Sequence, residues 1–483
     1  MPDRTKPKLR FPKDYTPKAE DLAGGRYGTY EMIPLWGQNP TFEFSLLAQG
    51  QASLILSKLH PEIISPEIAR EIKEKATLKF VDAERIKEVE DATGHDVIGI
   101  NTALEEVLSN EAKPYVNKFR TSADTTNTAK PMQIKKSLEV IADSVENLRD
   151  ITIEKMLDWK NPIGIIQTHG YDGLPAVAGR PFAHYVEMMQ SGLNFLKFVY
   201  DNSLVGKWGD VTGDHHGAKT AGIDGLKLQE EYCRSLGLQH MIAPAQVPGL
   251  EFESDVMYVM VRLGATMNNL ARFIAHGKSD DVNIFRDTNP KKRKGSAGMP
   301  HKDAKGGNPT TEEQMRSVQK YLYGNMMTAL TNCEMDYGRD LSGSADSRLN
   351  FEDGFKFLDQ IVRRMASTVY WLELNEERAK ERVTRTYNVI TSPRVMQYLT
   401  DNRHTSNPMA WREAHDLVGK LATEAYENKI PFSQVLKSNE KVSSRLTNET
   451  IQAITNPLDY IGESKRIVEI VADKYHKQKT FIN

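Results

Sequence analysis

A chain of 483 residues, 39% of them hydrophobic, can bury sizeable cores, and a prior of about 150 residues per domain predicts roughly three domains. Charged residues make up 27% of the chain but nearly cancel to a net charge of −2, which argues against a dedicated nucleic-acid binder or a polybasic membrane protein. The two cysteines give no disulfide framework, and no stretch of about 18 uninterrupted apolar residues predicts a membrane span. We therefore expect a soluble, cytoplasmic protein.

The first part of the chain is predicted to contain short helices. Residues 1–20 form a basic, proline-rich arm that lacks the apolar centre of a secretory signal. Short amphipathic helices are expected over residues 44–72. A helix, a turn and a second helix are expected over residues 83–107, with the break at Gly94-His95-Asp96.

The middle of the chain is dominated by long helical patterns. Apolar residues step by three and four along five segments, namely residues 134–148, 185–200, 256–274, 315–330 and 351–369. We expect Gly277 to cap the third helix. This pattern predicts a helical bundle, without a sheet or an internal repeat. Apolar residues on more than one face of the third helix are typical of a helix buried in an oligomer or in a large monomeric core.

Shorter helices return after residue 375, with Pro393, Pro408 and Pro431 between them. The predicted fold is all-α, with three helical domains. Their expected ranges are 1–119, 120–375 and 376–483, and the central one carries the long-helix bundle.

The segment 295–309 separates two of these long helices. Four glycines and two prolines predict a loop without a regular element. On composition alone, the segment is equally compatible with a plain surface connection and with a ligand-binding loop. Ser296 is a poor base unless its alkoxide is stabilised, which Lys302 and oriented backbone amides can provide.

Other polar segments have two interpretations each. His95 and His169 are candidate general acids, because histidine commonly has this role, although from sequence alone a capped core histidine is the favoured interpretation of His169. The arginines and serines of residues 339–348 suit a phosphate, or form an ordinary helix-terminal turn. The adjacent histidines His215 and His216 have no carboxylate or cysteine partner at metal-ligand spacing, so we assign them no role.

The loop Gly295-Ser296, with Met299-Pro300 and Lys302, resembles the loop of the fumarase/aspartase superfamily. Other segments, in the right order, resemble the adenylosuccinate lyase family within it. They are Arg26-Tyr27, Gly94-His95-Asp96-Val97, Arg120-Thr121-Ser122 with Asp124 and Thr128-Ala129, Thr168-His169-Gly170, Gln246-Val247, Arg339 with Ser344 and Arg348, and Thr391-Ser392-Pro393.

This resemblance implies a lyase of purine nucleotide biosynthesis that releases fumarate from adenylosuccinate and from succinyl-aminoimidazole carboxamide ribotide. Since the sequence has no Rossmann glycine pattern, Walker loop or metal-ligand cluster, we expect neither a metal nor another cofactor. Ser296 would remove a proton, Lys302 would stabilise the carbanion, and His169 would protonate the leaving nitrogen with His95 nearby. The implied substrate-binding residues are Arg26, Tyr27, Asp96, Thr121, Ser122, Thr168, Gln246, Met299, Asn308, Arg339, Ser344 and Arg348.

The resemblance also implies a homotetramer whose active sites each combine three chains, with a nucleotide and no nucleic acid as ligand. The sequence departs from the family pattern at Ala297, Asp303, Tyr171 and Leu250, and by four extra residues between Lys302 and Asn308. Asp303 stands where the family usually has an arginine that helps to bind phosphate. Lys305 is a candidate to supply the positive charge in its place. A divergent lyase for another N-succinyl or phosphorylated substrate, and a non-catalytic helical tetramer, therefore remain as alternatives.

Overall fold

The computed structural model describes residues 27–290, 297–336 and 338–481, and only the backbone at 304 and 305. Its first helices are α1 (Gln38–Leu59), α2 (Pro66–Lys75), α3 (Ala83–Thr93) and α4 (Asp96–Val107). The Ser65 and Asp82 side chains accept backbone N–H groups at the starts of α2 and α3. Gly94 ends α3 in the left-handed conformation. The predicted turn at Gly94-His95-Asp96 is confirmed.

The bundle consists of five long helices within the described residues. In chain order, with the short helices between them, the elements are α5 (Ser122–Asp158), α6 (Arg180–Asn202), α7 (His216–Thr220), α8 (Gly225–Ser235), α9 (Glu251–Lys278), α10 (Thr310–Thr331) and α11 (Ser344–Tyr370). Helix α5 packs against α6 and α11, and α9 packs against α6 and α10. The five predicted long helices and the all-α class are confirmed, although α11 begins before the predicted residue 351.

The prediction that Gly277 caps the third long helix is wrong. Helix α9 continues to Lys278, and Gly277 is buried inside it. A Cβ atom at Gly277 would lie 2.2 Å from Cδ2 of Phe285. The glycine is therefore required for close packing between the helix and this ring.

The expectation of no sheet is also wrong, because three two-stranded ribbons occur in the described residues. Antiparallel pairs are formed by β1 (Ile163–Thr168) with β2 (Tyr171–Val177), and by β5 (Phe285–Asp287) with β6 (Leu372–Leu374); the parallel pair is β3 (Val205–Gly206) with β4 (Gln239–His240). Most of these strands are too short to show a period of two in the sequence.

The last part of the chain contains α12 (Glu376–Thr384), α13 (Ser392–Thr400), α14 (Trp411–Glu427), α15 (Phe432–Ser438), α16 (Glu440–Ser443), α17 (Asn448–Ile454) and α18 (Ser464–Tyr475). Helices α13 to α17 enclose a separate apolar core that includes Val395, Phe432 and Ile451. Helix α18 returns to the bundle and packs against α6 and α5. The boundaries at 119/120 and 375/376 remain predictions. No helix among the described residues is long and apolar enough to cross a membrane.

Candidate active site

The candidate site residues that can be located lie mainly at two ends of the bundle. Helices α5 and α11 run parallel: Lys130 Nζ donates to Ser347 Oγ at 2.7 Å near one end, and Lys155 Nζ donates to the Leu372 carbonyl at 2.8 Å near the other. With a rise of 1.5 Å per residue, these two lysines lie about 37 Å apart along α5. The two ends cannot meet within one chain.

At the first end is a cavity of about 620 Å³. Six of the predicted residues line it: His95, Asp96, Ser122, Arg339, Ser344 and Arg348. Asp96, Ser122 and Ser344 are the first residues of α4, α5 and α11 respectively. Three helix N-termini therefore converge on this cavity, and each favours a negative group.

The charges on the cavity wall are mixed. Arg348 Nη2 lies 3.3 Å from Asp96 Oδ2, and His95 Nδ1 lies 3.4 Å from Asp96 Oδ1. The described lining residues include five carboxylates, at 90, 96, 334, 340 and 352, and three permanent cations, at 130, 339 and 348. An anion bound here therefore depends on the helix N-termini and on individual arginines rather than on the net charge of the wall.

Sequence reasoning missed Lys130 as part of this wall. Its ammonium donates to Ser347 Oγ at 2.7 Å and to Glu253 Oε1 at 3.1 Å, and Glu253 is fully buried. Asn332 donates to the other oxygen of Glu253 at 3.1 Å. The only local signal in the sequence was a lysine directly after the small, mostly polar residues 122–129, which open α5.

Two motif residues near Ser122 have a structural role. The Asp124 carboxylate is fully buried, forms an ion pair with Lys207 and accepts the Gly209 N–H at 3.0 Å. The Thr128 hydroxyl donates to the Lys207 carbonyl at 3.0 Å. Asp124 also accepts the Thr121 N–H at 2.9 Å. These bonds fix the first turn of α5. Its first residue, Ser122, lines the cavity, and Thr121 directly precedes it.

At the other end His169 lies at the tip of the β1–β2 hairpin. Thr168 pairs with Tyr171, and both His169 (φ 55°) and Gly170 (φ 82°) have positive φ, as in a type I′ turn. Thr168 and His169 are exposed, and Tyr171 is 80% exposed. The interpretation of His169 as a core histidine is therefore wrong.

The glycine-rich loop leaves the bundle at this same end, since the Thr288 N–H donates to the carbonyl of Trp371, directly after α11. The buried Lys278 ammonium lies 3.5 Å from Asp287 Oδ2, before the loop, and 2.5 Å from Glu312 Oε1, after it. Both ends of the loop are thus held by one cation.

Part of the loop is regular, contrary to prediction. Residues Pro300–Lys305 form a 3-10 helix, ended by Gly306 in the left-handed conformation. Lys302 is half-buried, Met299 is exposed, and Asn308 lies just before α10. Ser296 and Arg26 fall outside the described residues, as does the side chain of Lys305.

Two predicted residues lie apart from the cavity wall. Tyr27 packs edge-on against Phe357, in the middle of α11, with ring centroids 5.8 Å apart. Phe357 is about 20 Å along the helix from Ser344. Gln246 is half-buried and adjoins the wall through its neighbour Val247.

Two family models match the chain. One, described as "Lyase", matches residues 32–324, and the other, described as "Adenylosuccinate lyase C-terminus", matches residues 388–471. The adenylosuccinate lyase of Methanocaldococcus jannaschii is 29% identical over 94% of this chain and 96% of its own length. That of Bacillus subtilis is 29% identical over 88% and 94%.

Solved structures share the fold at lower identity. A fumarate lyase from Mesorhizobium sp. BNC1 has a TM-score of 0.78 at 18% identity, covering 93% of this chain and 98% of its own. The 3-carboxy-cis,cis-muconate lactonizing enzyme from Pseudomonas putida has a TM-score of 0.78 at 16% identity, covering 95% and 99%. Since the first family model spans more than half of the chain, and the second model and the relatives agree with it, the protein belongs to the lyase family and, within it, to the adenylosuccinate lyases.

Proposed function

We propose that this protein cleaves adenylosuccinate to AMP and fumarate, and that it performs the same elimination on succinyl-aminoimidazole carboxamide ribotide in purine biosynthesis. The observation that carries the proposal is that relatives named adenylosuccinate lyase match along 88–94% of this chain. A divergent lyase with another N-succinyl substrate, or a tetramer without activity, is not favoured by these matches.

In the proposed reaction Ser296, as alkoxide, removes the proton beside a carboxylate of the succinyl group. The electron pair then forms the double bond of fumarate as the C–N bond breaks, and His169 gives a proton to the leaving nitrogen. Lys302 stabilises the intermediate carbanion, and His95 assists with the proton or the substrate. The exposed position of His169 at a hairpin tip suits a group that must reach into a site on another surface.

The substrate-binding roles follow the two ends of the bundle. Arg339, Ser344 and Arg348 bind the 5′-phosphate at the N-terminus of α11. Tyr27 packs on Phe357, far along α11 from Ser344 in the same chain, so Arg26 and Tyr27 join this phosphate site from another chain of the tetramer. Thr121, Ser122 and Thr168 bind the succinyl carboxylates. Asp96, Gln246, Met299 and Asn308 complete the proposed contacts.

We infer that the active site is shared among chains of a homotetramer. Within one chain, His169 and Lys302 are near one end of the bundle and the cavity is at the other, so only packing of chains in opposite directions unites them. Large apolar side chains are exposed on α10 and α11, as expected of an uncovered interface: Tyr323, Met327, Leu330 and Leu349. We expect the enzyme to be cytoplasmic and not to bind nucleic acid.

The first test follows cleavage of adenylosuccinate by ultraviolet absorbance in the wild type and in the Ser296→Ala and His169→Ala variants. Both variants should lose at least about 100-fold in turnover, because each removes a proton-transfer group. His415→Ala serves as a matched control, since His415 is exposed on α14. A folded wild-type protein that releases no fumarate would contradict the proposal.

A further inference from the structure

Next to the tip of the His169 hairpin, in the second residue pair from the turn, is a buried carboxylate that the proposed reaction does not use. Asp172 follows His169 by three residues in β2, and its side chain is only 6% exposed. It accepts hydrogen bonds from Arg382 Nη2 at 2.7 Å, from Arg385 Nε at 2.9 Å and from Gln167 Nε2 at 3.1 Å. Gln167 is its partner across the hairpin.

These partners join the hairpin to two other parts of the fold. Arg382 belongs to α12 and Arg385 caps its C-terminal end, and α12 packs against β1. Gln167 Oε1 lies 2.8 Å from Nε2 of His276, which is in the last turns of α9. Through one carboxylate, the hairpin is therefore connected to α12 and to the bundle.

Such connections matter because a two-stranded hairpin is marginally stable on its own. The strand register shifts between Ile166 and Gln167, and the tip is exposed. The direction of His169 therefore depends on what holds the strands below the tip.

The ionisation state of Asp172 fits this role. Burial raises the pKa of its carboxyl, but the hydrogen bonds from Arg385 and the charge of Arg382 outweigh burial, so the pKa lies below its usual range. At neutral pH the carboxylate is charged and pairs with two guanidinium groups.

We propose that Asp172, held by Arg382 and Arg385, is a positioning residue that fixes His169 for proton transfer and links its position to α12. This inference rests on the proposed function in that His169 is taken as the general acid. An error of about 1 Å in the position of a reacting group can reduce the rate about 100-fold.

The experiment compares the wild type with Asp172→Asn, Asp172→Glu and Asp459→Asn in the full-length protein. Asp459 pairs with Arg394 at 2.6 Å, an ion pair that shares no residue with the hydrogen bonds of Asp172, and provides a matched control. In Asp172→Asn we expect kcat to fall about 10- to 100-fold with KM nearly unchanged, with partial recovery in Asp172→Glu. Asp459→Asn should retain wild-type kcat.

Amide hydrogen exchange over residues 163–177 gives a second readout that needs no activity. Exchange should accelerate there in Asp172→Asn and stay unchanged in α5 and α9. If the wild type does not cleave adenylosuccinate, the proposed function fails and exchange alone decides whether Asp172 holds the hairpin. Wild-type kcat with wild-type exchange, or equal acceleration throughout the chain, would overturn the inference.

Discussion

At the scale of single residues, His215 illustrates the cost of a buried titratable group. It has a left-handed backbone (φ 57°) and precedes α7. Its side chain packs so closely on Gly225 that a Cβ there would lie 2.3 Å from the histidine Cβ. Burial lowers the pKa of His215, and the positive charge of Lys207 lowers it further. The neutral imidazole is the form that the fold accommodates.

We expect His215 to make the protein less stable in mild acid. Since its pKa is lower in the folded than in the unfolded state, its contribution is fully present above the unfolded value of about 6.5 and is lost as pH falls below it. His215→Asn removes this contribution, and asparagine tolerates the left-handed backbone. The melting temperature between about pH 7.5 and about pH 5 should therefore fall less in the variant than in the wild type. The exposed His415→Asn variant is the control, and parallel curves for His215→Asn and the wild type would refute the expectation.

At the scale of secondary-structure elements, two helical glycines have opposite roles. Gly277 in α9 touches the Phe285 ring, whereas Gly419 in α14 is exposed, and a methyl group added there would have nothing within 4 Å. Replacement by alanine therefore measures helix propensity at Gly419 and the tolerance of close packing at Gly277.

Gly419→Ala should raise the free energy of unfolding by about 0.5–1 kcal/mol, because alanine loses less backbone entropy on folding. Gly277→Ala should lower it by about 1–3 kcal/mol, because the methyl group overpacks the contact with Phe285. Denaturant titration at constant protein concentration measures both. A stabilised Gly277→Ala variant would show that the ring moves freely out of the way.

The elements also show what the sequence could predict. Each long helix repeats its apolar spacing over several turns, and all five are predictable for that reason. The hairpin was missed because β1 lacks apolar–polar alternation and β2 contains a glycine and a proline, and the exposed position of His169 was missed with it. The motifs identified six residues of the cavity wall, but the ion pair between Asp172 and Arg385 spans 213 positions and leaves no local pattern.

At the scale of the whole molecule, α5 separates two sets of candidate groups. Its 37 residues extend about 55 Å, with the cavity near its start and the hairpin after its end. If the active site is shared as proposed, activity depends on how the chains are arranged relative to one another. A folded but monomeric chain should be inactive.

Mixing two inactive variants should accordingly restore activity. In hybrids of His169→Ala with Arg348→Ala, formed by joint unfolding and refolding, some sites receive an intact hairpin from one chain and an intact cavity from another. Absorbance assays should detect fumarate release that neither variant shows alone. His95→Ala with Arg348→Ala is the matched control, since both residues line the same cavity of one chain and no hybrid has that wall intact. Failure of the first pair to recover, with tetramers present, would argue against shared sites.

The buried Lys278 has a consequence for how such an enzyme can change its substrate. The Lys278 ammonium holds Asp287 and Glu312 together, so the bundle fixes both ends of the segment between them. A change in the length of this segment therefore alters the entropic cost of closing the loop only slightly. We therefore expect insertions and substitutions in this loop to leave the flanking helices undisturbed. Asp303 and the four residues that depart from the family pattern lie between Asp287 and Glu312, where we expect a change of specificity to cost the fold little.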